Sequence, residues 1–377
     1  LKKVIFVFVL LAVLAFSAIP AQALEITSGA AVLIDMESGR VLYSQNPDQP
    51  LPPGGLNKLM TGLLAAENRA LDYTVTLPMS YSPVSDTSPS GLKGGDSRTV
   101  EALLYAMLLH RSSNAAKALA IGVSDSEKNF TDLMNRRAAE LGMKNTYWLN
   151  PYGTKDDGQL TTAYDLALLT RAVMQNEVFA AVMGTGYKVV PWGTAMEEYT
   201  HPDRTFLDTY KSFITGARTA DRVGWADYCM VAAGEKSGVK LVGVIMGGSS
   251  NSGMYEEMLD LLNYGFNNYS LTKVGVKGGK LGTLDVVGGR AKTLDAVLAE
   301  DVSILLNRDN ENPVKSISLP QELKAPIAKG DVIGSVTYAD GEFEITVDLI
   351  AAESVPRHVF WETFWQALKR IFSVWIK

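Results

Sequence analysis

Lys58 closes the run Gly55-Leu56-Asn57-Lys58, and a second polar cluster, Ser112-Ser113-Asn114, follows farther along the chain. A lysine one turn into a helix suits serine acyl transfer. In a low-dielectric cleft its pKa falls, and it can take a proton from a hydroxyl one turn earlier on the same face. The helix start would supply unpaired N–H groups to hold an oxyanion. The hydroxyl itself is missing. Gly55 stands three residues before Lys58, where the nucleophile belongs, and no Ser, Thr or Cys lies between Ser44 and Lys58 to replace it. Thr61 falls one turn further in, on the core side. Gly54-Gly55 also weakens the helix start, since glycine costs up to about 1 kcal/mol against alanine in a helix interior.

The elements that must position these residues are legible as patterns. Residues 30–35 and 41–44 read as a hairpin around Met36-Glu37-Ser38-Gly39. Residues 56–66 read as a helix with Leu59, Met60, Leu63 and Leu64 on one face. Thr99 opens an apolar helix over 100–109. Phe130, Leu133, Met134 and Ala138 recur at helical spacing, with Gly142 as a stop, and 166–174 gives another helix. Strands are expected at 211–215, 226–233 and 240–246, the last two joined as a hairpin, followed by a helix over 254–266. That order fits an antiparallel sheet with helices packed on it and an inserted helical cluster. From 272 to 352 the texture changes. Gly278-Gly279, Gly288-Gly289 and Gly330 separate short β-type runs at 302–306, 332–337 and 342–350, which read as a small all-β domain.

With 377 residues, 47% of them hydrophobic, the chain can build two domains. A net charge of −6 argues against a nucleic-acid partner. Cys229 is the single cysteine, so no internal disulfide forms; it sits in an apolar run and reads as a buried, inert thiol. The histidines, His110, His201 and His358, make no metal-binding pattern, and no metal or cofactor is expected. His110 reads as a helix-end residue, and Asp156-Asp157 as a solvated loop.

Both termini point to a membrane. Lys2 and Lys3, the apolar run 4–19 and Ala21-Gln22-Ala23 have the form of a cleavable secretory leader over 1–23, with a retained transmembrane segment as the alternative. At the other end, over 353–377, Trp361, Phe364, Trp365, Leu368, Ile371, Phe372 and Trp375 recur at three- and four-residue spacing beside Lys369, Arg370 and Lys377. A cationic, tryptophan-rich amphipathic helix suits the membrane surface. The alternative is a helix docked on the protein's own core.

Taken together, the motifs resemble those of the serine D-alanyl-D-alanine carboxypeptidases, the low-molecular-mass penicillin-binding proteins of bacterial cell-wall metabolism. That family carries S-x-x-K, S-x-N and K-T-G in order. Here these align with Gly55-Leu56-Asn57-Lys58, Ser112-Ser113-Asn114 and Ile214-Thr215-Gly216. Flanking matches include Pro53, Met60-Thr61, Phe130, Met134-Asn135, Leu141-Gly142-Met143, Asn150-Pro151, Gly153, Thr162-Ala163 and Asp165-Leu166. The resemblance implies a β-lactamase-like α+β domain over 24–271, an antiparallel sheet flanked by helices, with the all-β domain and anchoring helix behind it.

By the same resemblance, Lys58, Ser112 and Asn114 are residual catalytic-motif residues, the latter two in an interhelix loop that relays a proton and holds the substrate amide. Thr215 and Gly216 would contact substrate, while Ile214 replaces a lysine that pairs with the substrate carboxylate or the proton relay. Tyr152 stands where the family often has histidine, and the stretch 217–222 reads as a turn longer and more charged than usual. Two functions follow. One is a degenerate homologue that binds peptidoglycan stem peptide or a cell-wall protein without hydrolysing it. The other is an active carboxypeptidase with a substitute nucleophile, Ser112 being the nearest.

Overall fold

The computed structural model describes residues 24–84, 91–154, 158–224, 226–309, 313–341, 343–358, 364–365 and 368–369. The chain divides into two compact units, Leu1–Asn267 and Asn268–Lys377.

The first unit begins with strands β1 (Ala30–Asp35) and β2 (Val41–Gln45). A 3-10 turn, Gly54–Asn57, leads into helix α1 (Lys58–Asn68). The short pair β3 (Thr74–Thr76) and β4 (Ser97–Thr99) precedes a helical cluster: α2 (Val100–Leu109), α3 (Ser113–Ser124), α4 (Glu127–Glu140), α5 (Ala163–Gln175) and α6 (Glu177–Met183). The start signals are side-chain caps. Thr99, Ser112, Ser126 and Thr162 each accept a backbone N–H three residues on, satisfying a donor the helix cannot. Gly142, at φ +80°, follows the end of α4. A hairpin of β5 (Tyr187–Trp192) and β6 (Ala195–Thr200) and the short helix α7 (Arg204–Thr209) lead to β7 (Ile214–Ala220), β8 (Tyr228–Lys236) and β9 (Val239–Gly248). Helix α8 (Asn251–Asn268) closes the unit.

Five of these strands form one antiparallel sheet in the order β2-β1-β9-β8-β7. The turn between β8 and β9 is Ser237-Gly238, both at positive φ, which matches the twist of the flanking strands. All six β1 residues are buried, so both faces of the sheet are covered. Ala30, Val32 and Ile34 join a core shared with the helical cluster. On the other face, Gly243 lets α8 approach closely, since a Cβ there would lie 2.7 Å from Met258 Sδ. Strand β7 is the outer edge.

Two expectations need correction. The strand placed at 211–215 begins instead at Ile214 and runs to Ala220, so the stretch read as a charged turn, 217–220, is strand. Ser113 and Asn114 lie in the first turn of α3, with Ser112 as its cap, rather than in a free loop.

The second unit is all-β. Its strands are β10 (Tyr269–Gly275), β11 (Lys280–Val287), β12 (Thr293–Leu298), β13 (Val302–Asn307), β14 (Val314–Ser318), β15 (Glu322–Lys324), β16 (Val332–Asp340) and β17 (Phe343–Ala351). Strands β10 and β13 pair, and the rest form a six-stranded sheet in the order β14-β16-β17-β12-β11-β15. Its core gathers Leu294, Val336, Tyr338, Leu349 and Val355.

Candidate active site

The two glycines at the entry to α1 differ in kind. Gly54 has φ +53°, and a Cβ built on it would lie 2.9 Å from the Ala220 methyl carbon, so both backbone conformation and close approach require glycine. Gly55 is under neither constraint. Its φ is not in the left-handed region, and among the described residues a Cβ there would meet one atom, Lys58 Nζ at 3.9 Å. A side chain at residue 55 therefore has room and points at the lysine. Lys58 is 6% exposed, the first residue of α1.

The loop 150–153 is fastened onto this helix. Asn57 Nδ2 donates to Asn150 O at 2.9 Å, and Thr61 Oγ1 donates to Pro151 O at 2.6 Å. Asn150 Oδ1 accepts from the Tyr152 and Gly153 amides, turning the loop back. Thr61 is thus buried and committed, as its core-side position on the helix implied.

Ser112 is fully buried, and its Oγ accepts the Ala115 amide at 3.1 Å. That position gives it a capping task and no open approach to a substrate carbonyl. Ser113 Oγ donates to Tyr152 O at 3.4 Å. Asn114 Oδ1 accepts the Val84 amide at 2.8 Å and the Tyr81 hydroxyl at 3.3 Å, tying α3 to the segment ahead of β4. Burial pushes the Tyr81 phenol well above its ordinary pKa, so it stays a neutral donor.

Strand β7 does not bring Ile214, Thr215 and Gly216 to Gly55 and Lys58. Gly216 packs on the Met174 and Met183 side chains, and a bulge interrupts the ladder between Ile214 and Gly216. Ala220, which touches Gly54, is six residues beyond Ile214, and six residues of strand span about 20 Å. The residues at the Gly54 end are Arg218, Thr219 and Ala220. A basic residue, a threonine and a small residue repeat the chemistry of K-T-G four positions later, a signal present in the sequence but overlooked for the literal Thr-Gly match.

Arg218 is 2% exposed, and its Nη1 donates to Leu108 O at the end of α2. Burial, then the nearby Arg111 cation, lowers its guanidinium to about 10. Thr219 donates its amide to Asp203 Oδ2 at 3.0 Å and its hydroxyl to Asp203 Oδ1 at 2.6 Å. Tyr255 donates to the same Oδ1 at 2.5 Å. Arg111 Nη2 reaches Thr219 Oγ1 at 3.1 Å. His201 Nδ1 accepts the Asp203 amide at 3.0 Å; burial, reinforced by Arg218, lowers this histidine to about 4, so it is neutral.

Other groups are inert or peripheral. Burial pushes the Cys229 thiol up to about 11, which leaves no thiolate near neutral pH. His110 caps the end of α2 and stacks on Tyr199 at 5.3 Å. In the tail, Phe364, Trp365 and Lys369 are exposed and Leu368 is half-buried. Trp361, Arg370, Phe372 and Trp375, the leader at 1–23 and Asp156-Asp157 lie outside the described residues.

Comparison with known proteins agrees with this architecture. Residues 17–250 match the family model D-alanyl-D-alanine carboxypeptidase, and residues 269–357 match the penicillin-binding protein 5 C-terminal domain. The chain is similar to the D-alanyl-D-alanine carboxypeptidase DacF of Bacillus subtilis, 28% identical over 92% of this chain and 90% of that one. DacD of Escherichia coli is 28% identical over 88% of this chain and 87% of its own length. Penicillin-binding protein 5 of Haemophilus influenzae superposes with a TM-score of 0.72 at 25% identity, over 88% of this chain and 98% of that one. With the sheet, the helical cluster and the Lys58 and Asn114 positions in their expected order, and with the family model spanning most of the first unit, the chain belongs to the D-alanyl-D-alanine carboxypeptidase family.

Proposed function

We propose that this protein is a catalytically degenerate D-alanyl-D-alanine carboxypeptidase homologue, exported and held at the outer face of the cytoplasmic membrane. It binds peptidoglycan stem peptide or a cell-wall partner and does not turn substrate over. The observation that carries this reading is Gly55: the space beside Lys58 Nζ is kept, and the atom that would form an acyl-enzyme is absent. The nearby alternatives do not supply it. Ser112 is buried as a helix cap, Thr61 is committed to Pro151, and the Cys229 thiol stays protonated. Losing the acylating hydroxyl removes many orders of magnitude in rate.

In this reading the third motif is Arg218-Thr219-Ala220, in place of the Ile214-Thr215-Gly216 alignment. Its support is the contact of Ala220 with Gly54 and the buried positive charge of Arg218. The buried Arg218 guanidinium adds positive charge on this side of β7, which suits an acidic peptide terminus. Export and anchoring are supported by the leader pattern over 1–23 and by the exposed Phe364 and Trp365 of the tail.

The test is intact-protein mass spectrometry after exposure to penicillin, with the natural chain beside Gly55→Ser. No adduct on the natural chain and one on the variant is the expected pair. A stoichiometric adduct on the natural chain would overturn the reading in favour of an enzyme with a substitute nucleophile.

A further inference from the structure

A second concave surface lies on the α8 side of the sheet. Alternation along β7 turns Arg218 and Ala220 toward the end of α2 and Gly54. It turns Thr219 toward the opposite face, where Asp203 accepts its hydroxyl. Beside Asp203, between α7 and the start of α8, is an open pocket of about 400 Å³. That is within the usual range for small-molecule sites, about 300–1,000 Å³.

The floor of the pocket is aromatic. Phe206 is buried and Tyr210 and Tyr255 are half-buried. The Tyr210 and Tyr255 ring centroids lie 5.3 and 5.2 Å from that of Phe206, so the three rings are contiguous. The bond from the Tyr255 hydroxyl to Asp203 fixes one ring before any ligand arrives, which lowers the ordering cost of binding. The rim is polar, with Thr205 and Asn251 exposed.

The charges around this floor favour a neutral ligand. Among the described lining residues Asp203 alone is charged, and the Arg111 and Arg218 cations act on it from nearby. A ligand charge of either sign therefore meets a like charge. Among the described residues, Asp203 Oδ1 accepts two hydrogen bonds and Oδ2 one. A carboxylate has about four acceptor positions, so one more donor can be taken. The ligand that fits has a flat apolar face for the rings and hydroxyl donors around its edge.

We propose that this pocket binds a neutral pyranose saccharide, with its C–H face on the Phe206, Tyr210 and Tyr255 rings and a hydroxyl donating to Asp203. The negative face of an aromatic ring attracts the weakly positive C–H groups of such a sugar. The inference does not depend on the peptide-binding reading. It assigns a separate ligand to the other face of β7.

The experiment is a saturation-transfer NMR titration of the purified full-length protein. The probes are chitobiose, a neutral disaccharide, and indole, a flat neutral ligand without hydroxyls. Natural protein transfers saturation to the ring C–H protons of chitobiose. Tyr210→Ala weakens binding roughly tenfold, the upper end of what an aromatic face contributes, whereas Tyr210→Phe keeps the ring and most of the affinity. If Tyr210→Ala fails to fold, Thr205→Trp on the exposed rim replaces it: the indole fills the mouth and chitobiose binding is lost. No transfer to chitobiose, or transfer unchanged in the variant that folds, overturns the inference. Binding of indole without chitobiose also overturns it, and marks the pocket as a site for an aromatic ligand instead.

Discussion

Gly54 lies against Ala220 so closely that a methyl group on the glycine would sit 2.9 Å from the alanine's own. This contact joins the entry of α1 to the last residue of β7 and sets which part of that strand faces Lys58. It also separates two adjacent glycines into one that is structurally required and one that is not.

Gly54→Ala should therefore destabilise the first unit by about 1–2 kcal/mol for the left-handed backbone alone, with more for the clash. Gly55→Ala should change stability by less than about 1 kcal/mol, because its backbone and surroundings accept a side chain. Chemical denaturation of the two variants, side by side, measures the contrast. Equal losses would mean that the two positions are not distinguished as described.

Gly55→Ser should acquire a penicillin adduct, and adding Ile214→Lys should change nothing, since Ile214 lies at the far end of β7. Adding Arg218→Lys to Gly55→Ser tests the reassigned motif: it should raise the acylation rate. Time courses by mass spectrometry give all three rates. A gain from Ile214→Lys would restore the earlier alignment.

Asp203→Ala should cost about 3–5 kcal/mol, the penalty of removing one partner from a buried charged cluster. It leaves the Thr219 amide, the Thr219 hydroxyl and the Tyr255 hydroxyl without their acceptor beside two arginines. The denaturation midpoint should fall with an unchanged slope. A variant as stable as the natural protein would remove this network from the account of how β7 is held.

His201 makes stability pH-dependent. Its folded value of about 4 lies below the ordinary 6.5 because burial disfavours the cation, with Arg218 adding to that. The unfolded chain binds the proton first as pH falls. The stabilisation is complete above pH 6.5 and is lost progressively toward pH 4, by up to about 1.4 kcal/mol per unit. His201→Asn keeps an acceptor for the Asp203 amide and should flatten that part of the stability profile relative to the natural protein. Parallel profiles would contradict the buried neutral histidine.

Local signals were read well from sequence. Thr99 announces its helix because a cap is a three-residue interaction, whereas the helix expected over 166–174 begins earlier, at Ala163, behind a Thr162 cap that the apolar spacing did not reveal. The β8–β9 hairpin is visible because Ser237-Gly238 dictates its own turn. What sequence did not show depends on contacts far apart in the chain. Arg218 looks like a solvated turn residue until Leu108, some hundred residues earlier, accepts its hydrogen bond. The match of Thr215-Gly216 to a known motif competed with the register of β7 against β8, and only the pairing of Ala220 with Cys229 shows which end of the strand meets Gly54. The capping role of Ser112 shows only once the Ala115 amide is located.

The open position beside Lys58 also has a functional side. Nothing in the backbone at residue 55 stands against exchange of glycine for serine. Under the degenerate reading proposed above, exchange between glycine and serine at residue 55 would switch acylation on or off while the surrounding fold stays as it is.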